Sequence, residues 1–149
     1  MQNKFTDQAR RVLEQAAFAA EVNGHCYIGS EHLLLGLIQV EDCLAGKVLL
    51  NNDVTENKVL NLIYQLIAPD CAVSVKEPAV YTPRVKKILV NAGNEAARFK
   101  ADSIGTEHIL IAMLKETDSV ASRLLNTMGV SVKKIYTAVS YTHLRAHET

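Results

Sequence analysis

The residues best suited to chemistry in this sequence are two Glu-His pairs, Glu31 with His32 and Glu107 with His108. Each pair follows a Gly and a hydroxyl residue and precedes an apolar run, in the segments IGSEHLLLGL and IGTEHILIAM. A carboxylate at a helix start gains about 0.3–1 kcal/mol from the helix dipole, so one interpretation is simple helix-start electrostatics. The other is a ligand site, in which the carboxylate accepts from a cationic group while the N–H groups of a nearby helix start hold an anionic group.

Other chemistries find less support in the sequence. Glu-His is not the H-E-x-x-H pattern, and no second metal ligand falls on the same helical face, so a structural role for each His is favoured over a metal site. No nucleophile motif or phosphate-binding P-loop is present, so we expect a binding domain rather than an enzyme. A small hydrolase that uses Glu and His with a bound metal stays open as an alternative. The three cysteines show no C-x-x-C spacing, which indicates a reducing compartment and inert thiols: Cys26, Cys43 and Cys71.

Composition limits the class of protein further. The 149 residues are 48% hydrophobic, and 16 basic residues balance 16 acidic ones, so the formal net charge is zero. We therefore expect a globular domain with no nucleic-acid or membrane partner. The sequence shows no charged-then-apolar leader and no apolar run near the length of a membrane span, and the expected location is the cytoplasm.

The Glu-His segments belong to a long internal repeat. A shift of 76 residues superimposes Gly29 on Gly105 and keeps its register from Phe5 to Val59. A register of that length predicts duplicated structure. We predict one domain over 1–139, with repeat one at 5–67, a linker at 68–80 and repeat two at 81–139.

Each repeat is predicted to contain four helices. Hydroxyl residues that precede apolar runs at helical spacing are candidate N-caps, namely Thr6, Ser30 and Thr55 in repeat one and Thr82, Thr106 and Ser131 in repeat two. The second helix of each repeat is apolar on every side and should pack against the other repeat. The predicted fold is all-α, a pseudo-twofold duplicated four-helix repeat of about eight helices, with no β structure.

The last ten residues depart from the repeat. The apolar face of the final helix ends after Val139, and the stretch SYTHLRAHET that follows has no counterpart in the first repeat. We interpret residues 140–149 as appended or read-through sequence, with a frayed natural terminus as the alternative.

Two stretches of the chain carry a family resemblance. FTDQARRVLEQAAFAAEVNGHCYIGSEHLLLGLI and YTPRVKKILVNAGNEAARFKADSIGTEHILIAML resemble the N-terminal double-repeat (Clp-N) domain of Clp ATPases, of the ClpC type. The resemblance covers Phe5 to about Val139. It implies a substrate-recruiting and adaptor-docking domain of a hexameric AAA+ unfoldase that supplies the ClpP protease in protein quality control and the stress response. ATP and magnesium would belong to ATPase domains outside this chain, so no cofactor is expected here.

The resemblance also implies a specific ligand. ClpC-type domains recognise phosphoarginine on marked proteins, one per repeat, and the matching positions are Glu31 with Thr6 and Glu107 with Thr82. Basic side chains that are candidates for holding the phosphate are Arg10, Arg11, Arg84, Lys86 and Lys87. The implied partners are adaptor proteins and phosphoarginine-marked or unfolded substrates, and the isolated domain is expected to be a monomer. A free-standing scaffold without ATPase rings stays open as an alternative.

One departure from the family pattern lies next to the second Glu-His pair. Lys100-Ala101 stands where the first repeat has Gly24-His25. The loops after the two central helices also differ from the usual Glu-Gly-rich pattern, so we expect a different adaptor preference.

Overall fold

The structure, a computed structural model, describes residues 4–67 and 79–147, with side chains described as far as Tyr141. The elements of repeat one are β1 (Lys4–Phe5), α1 (Asp7–Val22), β2 (Tyr27–Ile28), α2 (Ser30–Gln39), α3 (Leu44–Asn51) and α4 (Glu56–Leu66). Those of repeat two are β3 (Val80–Tyr81), α5 (Pro83–Arg98), β4 (Ser103–Ile104), α6 (Thr106–Lys115), α7 (Val120–Thr127) and α8 (Val132–His147). The element order is the same in both repeats, and the predicted duplicated four-helix architecture is confirmed.

Threonine side chains begin the first helix of each repeat, as predicted. Thr6 Oγ1 accepts a hydrogen bond from the Ala9 N–H at 3.1 Å, and Thr82 Oγ1 accepts from the Val85 N–H at 3.1 Å. Each bond satisfies one of the N–H groups that a helix start leaves without an intrahelical acceptor. The last helix of each repeat begins in the same way, at Thr55 and Ser131.

The prediction that Ser30 and Thr106 cap their own helices is wrong. The N-cap residues of α2 and α6 are Gly29 and Gly105. Ser30 Oγ instead accepts from the N–H of Ala121 at 3.0 Å, at the start of α7 in the other repeat. Thr106 Oγ1 accepts from the N–H of Ala45 at 3.3 Å, at the start of α3. Each central helix therefore supplies an acceptor to the third helix of the opposite repeat.

The expectation of no β structure is also wrong, because residues 4–67 and 79–147 include four strands of two residues each. They form two parallel pairs that join the repeats: β1 with β4, where Phe5 faces Ile104, and β2 with β3, where Ile28 faces Tyr81. Two residues are too few for alternation of polar and apolar side chains to appear in a sequence. The strand pairs matter here because they fix which helix starts are neighbours.

The core is built around the two central helices, as predicted. Their side chains with no solvent exposure include Leu33, Leu34, Leu37, Ile109, Leu110 and Met113. Helix α2 contacts α7 and helix α3 contacts α6, so the hydrophobic core is continuous across the two repeats. No helix in the described ranges combines the length and the apolar character needed to cross a membrane.

The linker was predicted at 68–80 and the end of repeat two at residue 139. Most of the predicted linker, residues 68–78, lies outside the described residues, while Val80 begins strand β3. Helix α8 continues past the predicted end of the repeat to His147. Val139 is fully buried and Tyr141 is 61% exposed.

Candidate functional site

A cavity of about 410 Å³ lies beside Glu107. It is formed where the start of α1 meets the start of α6, and its lining includes Thr6, Gln8, Lys100, Asp102, Glu107 and His108. The pairing of β1 with β4 brings these two helix starts together, and the Thr6 N–H donates to the Ile104 carbonyl at 2.9 Å. Residues of both repeats therefore line the cavity.

This geometry corrects the pairing of site residues within one repeat. Thr6 lies with Glu107, rather than with Glu31, because strand β1 pairs with β4. Thr82 lies on the side of Glu31, since its N–H donates to the Ile28 carbonyl at 3.1 Å. Helix α1 separates Thr6 from Glu31: its 16 residues are about 24 Å long.

Both carboxylates fold back over the glycine that precedes their helix. A Cβ atom added at Gly29 would overlap Oε1 of Glu31, and one added at Gly105 would overlap Oε1 of Glu107. Each Glu is the second residue of its helix, so its carboxylate reaches the positive end of the helix dipole. A side chain at either glycine would therefore displace the carboxylate from this position.

Both histidines accept a hydrogen bond from the glycine that precedes their helix. The Gly29 N–H donates to Nδ1 of His32 at 2.9 Å, and the Gly105 N–H donates to Nδ1 of His108 at 2.8 Å. Because Nδ1 accepts, a neutral ring carries its proton on Nε2. In the part of the chain that the structure describes, no three His, Cys, Asp or Glu side chains gather as metal ligands.

The surroundings of the two carboxylates differ. Glu31 is only 1% exposed, and Tyr27 donates a hydrogen bond from its hydroxyl to Oε2 of Glu31 at 3.0 Å. Glu107 is partly exposed and faces the cavity. The 76-residue shift places Ser103 opposite Tyr27, so repeat two has no phenol at this position.

The basic residues predicted to hold a phosphate do not line the cavity beside Glu107. Arg11 pairs with Asp42 at 3.2 Å, and this hydrogen-bonded contact holds the pKa of Asp42 below its usual 3.8. The others that have acidic partners are Arg10 with Asp7 at 3.5 Å, Arg84 with Glu116 at 2.9 Å and Lys87 with Glu116 at 3.5 Å. Lys86 is exposed on α5.

Lys100 lines the cavity, but it was not among the residues predicted to hold a phosphate. Its backbone has a φ of 56°, in the left-handed region, where the equivalent Gly24 has a φ of 72°. A lysine in this conformation is unusual, since only Gly adopts it without steric penalty. The departure at Lys100-Ala101 in the repeat was the sequence feature that marked this position.

Two four-helix repeats, joined by strand pairs and by hydrogen bonds at helix starts around a shared core, define this chain as a duplicated helical domain. The family model described as the Clp repeat (R) N-terminal domain matches residues 4–128 and residues 80–146. The chain belongs to this family.

Two relatives support the assignment. The chain is 37% identical over 134 residues to the negative regulator of genetic competence ClpC/MecB of Bacillus subtilis, covering 90% of this chain and 16% of that protein. It is 36% identical over 137 residues to the chaperone protein ClpB of Oceanobacillus iheyensis, with the same coverage of 90% and 16%. The chain thus spans about a sixth of the length of these relatives.

Solved structures share the fold. The N-terminal domain of the chaperone ClpD from Arabidopsis thaliana matches with a TM-score of 0.80 at 22% identity, covering 95% of this chain and 97% of that one. A ClpV N-domain in complex with a VipB peptide matches with a TM-score of 0.69 at 18% identity, covering 89% of this chain and 82% of that one.

Proposed function

We propose that this domain recruits substrate proteins to a ClpC-type AAA+ unfoldase by binding phosphoarginine on them. The observation that carries the proposal is the cavity between Glu107 and the start of α1. A phosphoarginine side chain has a cationic guanidinium and an anionic phosphate close together, and the cavity offers a partner to each. The unfoldase itself, its ClpP protease and its cytoplasmic location are inferred from the family, because the chain spans 16% of the relative ClpC/MecB.

Glu107 is the proposed partner of the guanidinium. Its carboxylate accepts two N–H groups of a planar guanidinium in a charge-assisted, bidentate contact, which is stronger than a neutral hydrogen bond. His108 and Gly105 hold this helix start in place through the 2.8 Å bond between them. The site is therefore organised before a ligand arrives.

The start of α1 is the proposed partner of the phosphate. The first N–H groups of a helix have no intrahelical acceptor, and together with the helix dipole they favour an anion. Gln8 and the N-cap Thr6 line the cavity at this helix start, and Lys100 adds a positive charge at its rim. Docking of adaptor proteins on the same domain is proposed by analogy with the ClpV N-domain solved with a VipB peptide.

The test is a titration of the isotope-labelled domain with free phosphoarginine, followed residue by residue by NMR. We expect shifts of the Thr6, Gln8 and Gly105 amides, and weaker or no shifts with arginine or phosphate alone. Glu107→Gln keeps the shape of the side chain but removes its charge, and it should weaken binding by about tenfold or more. Asp118→Asn, at an exposed acid of the same repeat, is the matched control and should bind as the parent does. Unchanged binding by Glu107→Gln would show that the carboxylate does not hold the ligand.

A further inference from the structure

The turn that precedes the central helix differs between the repeats at two positions. Under the 76-residue shift, His25 corresponds to Ala101 and Tyr27 to Ser103. The residues of repeat one carry rings and those of repeat two do not. Both small residues of repeat two line the cavity beside Glu107.

In repeat one, three rings fill the space in front of Glu31. The His25 and Tyr27 rings stack with centroids 5.2 Å apart and planes 24° apart, and the His25 and His32 centroids are 4.9 Å apart. Tyr27 completes the closure by donating its hydroxyl hydrogen bond to Glu31 at 3.0 Å. The carboxylate is left 1% exposed.

The hydrogen bonds of this ring cluster hold it in one arrangement. Gly29 donates to Nδ1 of His32, so the proton of a neutral His32 lies on Nε2 and is donated to Nδ1 of His25 at 2.8 Å. His25 is 4% exposed and His32 is fully buried. The links from Gly29 to His32 and from His32 to His25 are both buried, and breaking either of them costs a polar group that partner.

Repeat two keeps the Gly-His contact but has an open space where the rings would be. The Gly105 N–H donates to His108 Nδ1 at 2.8 Å, as in repeat one. With Ala101 and Ser103 in place of His and Tyr, the space becomes part of a cavity of about 410 Å³ that reaches Glu107. Lys100 and Asp102 stand at its rim.

We propose that the two carboxylates are not equivalent: the cavity beside Glu107 is the open binding site of the domain, and Tyr27 closes the counterpart at Glu31. The Tyr27 hydroxyl occupies a hydrogen-bonding position on Glu31 that a guanidinium N–H takes in the open site. The identity of the ligand rests on the proposed function, whereas the closure of Glu31 does not. Tyr27 and His25 are accordingly the residues that determine how many ligands one chain binds.

The closure is tested first without any ligand, by carbodiimide-driven amidation of carboxylates and peptide mapping. Glu107 should react at least about tenfold faster than Glu31, since a buried carboxylate reacts only when the surrounding structure opens. In the variant His25→Ala with Tyr27→Ser, which installs the repeat-two residues, Glu31 should react as Glu107 does. Equal rates at Glu31 and Glu107 in the parent chain would overturn the inference.

A variant in repeat two tests the closure independently, in case the His25→Ala with Tyr27→Ser variant does not fold. Ser103→Tyr places a phenol in the open cavity and should slow amidation of Glu107, while Ser103→Ala, with a side chain of similar size to the original, should not. Circular dichroism and a thermal melt establish that each variant is folded. A rate at Glu107 that is unaffected by Ser103→Tyr would contradict closure by a residue at this position.

The number of ligands is then counted by calorimetry and NMR with phosphoarginine. The parent chain should bind one equivalent, with shifts around Glu107 alone, and the His25→Ala with Tyr27→Ser variant should bind two. Two equivalents of equal affinity on the parent chain would overturn the inference. If no variant binds phosphoarginine while the amidation rates differ as expected, the proposed ligand is wrong and the closure of Glu31 is supported.

Discussion

Replacing Ser30 separates two roles for its hydroxyl, as the cap of its own helix or as an acceptor for the other repeat. Ser30 is 3% exposed, and its Oγ accepts from the Ala121 N–H at 3.0 Å. Ser30→Ala leaves this buried N–H without an acceptor, which costs about 1–3 kcal/mol. Ala is the better helix former by about 0.5 kcal/mol, so the expected net loss of unfolding free energy is about 1–2 kcal/mol. For a chain of this length, that is a fall in Tm of about 2–8 °C.

A glycine at the same position distinguishes the two roles. If Ser30 capped its own helix, Ser30→Gly would cost only a few tenths of a kcal/mol, because Gly is itself tolerated at an N-cap. In the observed arrangement, Ser30→Gly loses the bond to Ala121, and glycine is also a weaker helix former than Ser or Ala. We therefore expect Ser30→Gly to be at least as destabilised as Ser30→Ala.

The assay is urea unfolding followed by far-UV circular dichroism, with Thr117→Ala as the control at an exposed hydroxyl. The control should unfold within about 0.5 kcal/mol of the parent chain. A Ser30→Gly variant that matches the parent while Ser30→Ala loses more than about 1 kcal/mol would refute the cross-repeat role. Losses below about 0.5 kcal/mol for both variants would show that the hydroxyl contributes nothing to stability.

Three further predictions concern packing, strain and pH. Gly36→Ala should destabilise the domain by about 1–3 kcal/mol in urea unfolding, because the new Cβ would overlap the Val12 carbonyl of α1, whereas the equivalent residue of repeat two is already Ala112. Lys100→Gly should raise stability by up to about 1 kcal/mol by removing the strain of its positive φ, yet weaken phosphoarginine binding; no gain in stability would contradict the strain. Burial raises the pKa of Tyr81 above 10.0, so its contribution to the free energy of unfolding is complete below that pH and is lost as the pH rises through the folded pKa. Tyr81→Phe should remove this loss of stability at high pH, measured by unfolding as a function of pH.

The helices were predictable because their signals are local. An N-cap hydroxyl lies within three residues of the N–H it serves, as Thr6 does with Ala9 at 3.1 Å, so the sequence alone predicts such a start. Ser30 looks the same in sequence, but its partner Ala121 is 91 residues away. Nothing in the local pattern distinguishes a hydroxyl that caps its own helix from one that caps a distant helix.

The site was predictable in its residue types but not in its assembly. The repeat and the family resemblance predicted Glu107 and Thr6 as site residues, and both line the cavity. Thr6 and Glu107 lie together because strand β1 pairs with strand β4, with Phe5 opposite Ile104. A strand of two residues is too short to show an alternation of polar and apolar residues in the sequence. The difference in exposure between the two carboxylates likewise depends on contacts in space: Tyr27 contacts Glu31, whereas Ala101 and Ser103 line the cavity beside Glu107.

The strand pairs and helix-cap hydrogen bonds between the repeats make each repeat dependent on the other. Each half lacks something that only the other half supplies: β1 needs β4, and the start of α7 needs Ser30. These reciprocal contacts have the form of an isologous interface between two identical subunits, with the two subunits joined into one polypeptide. A gene fragment that encodes a single repeat should therefore yield a homodimer, and two fragments cut within 68–78 should reassemble when mixed. Because the two halves share one chain, a substitution in one half leaves the other unchanged, and the two halves differ in this way at His25 in the ring cluster and at its counterpart Ala101 in the open cavity.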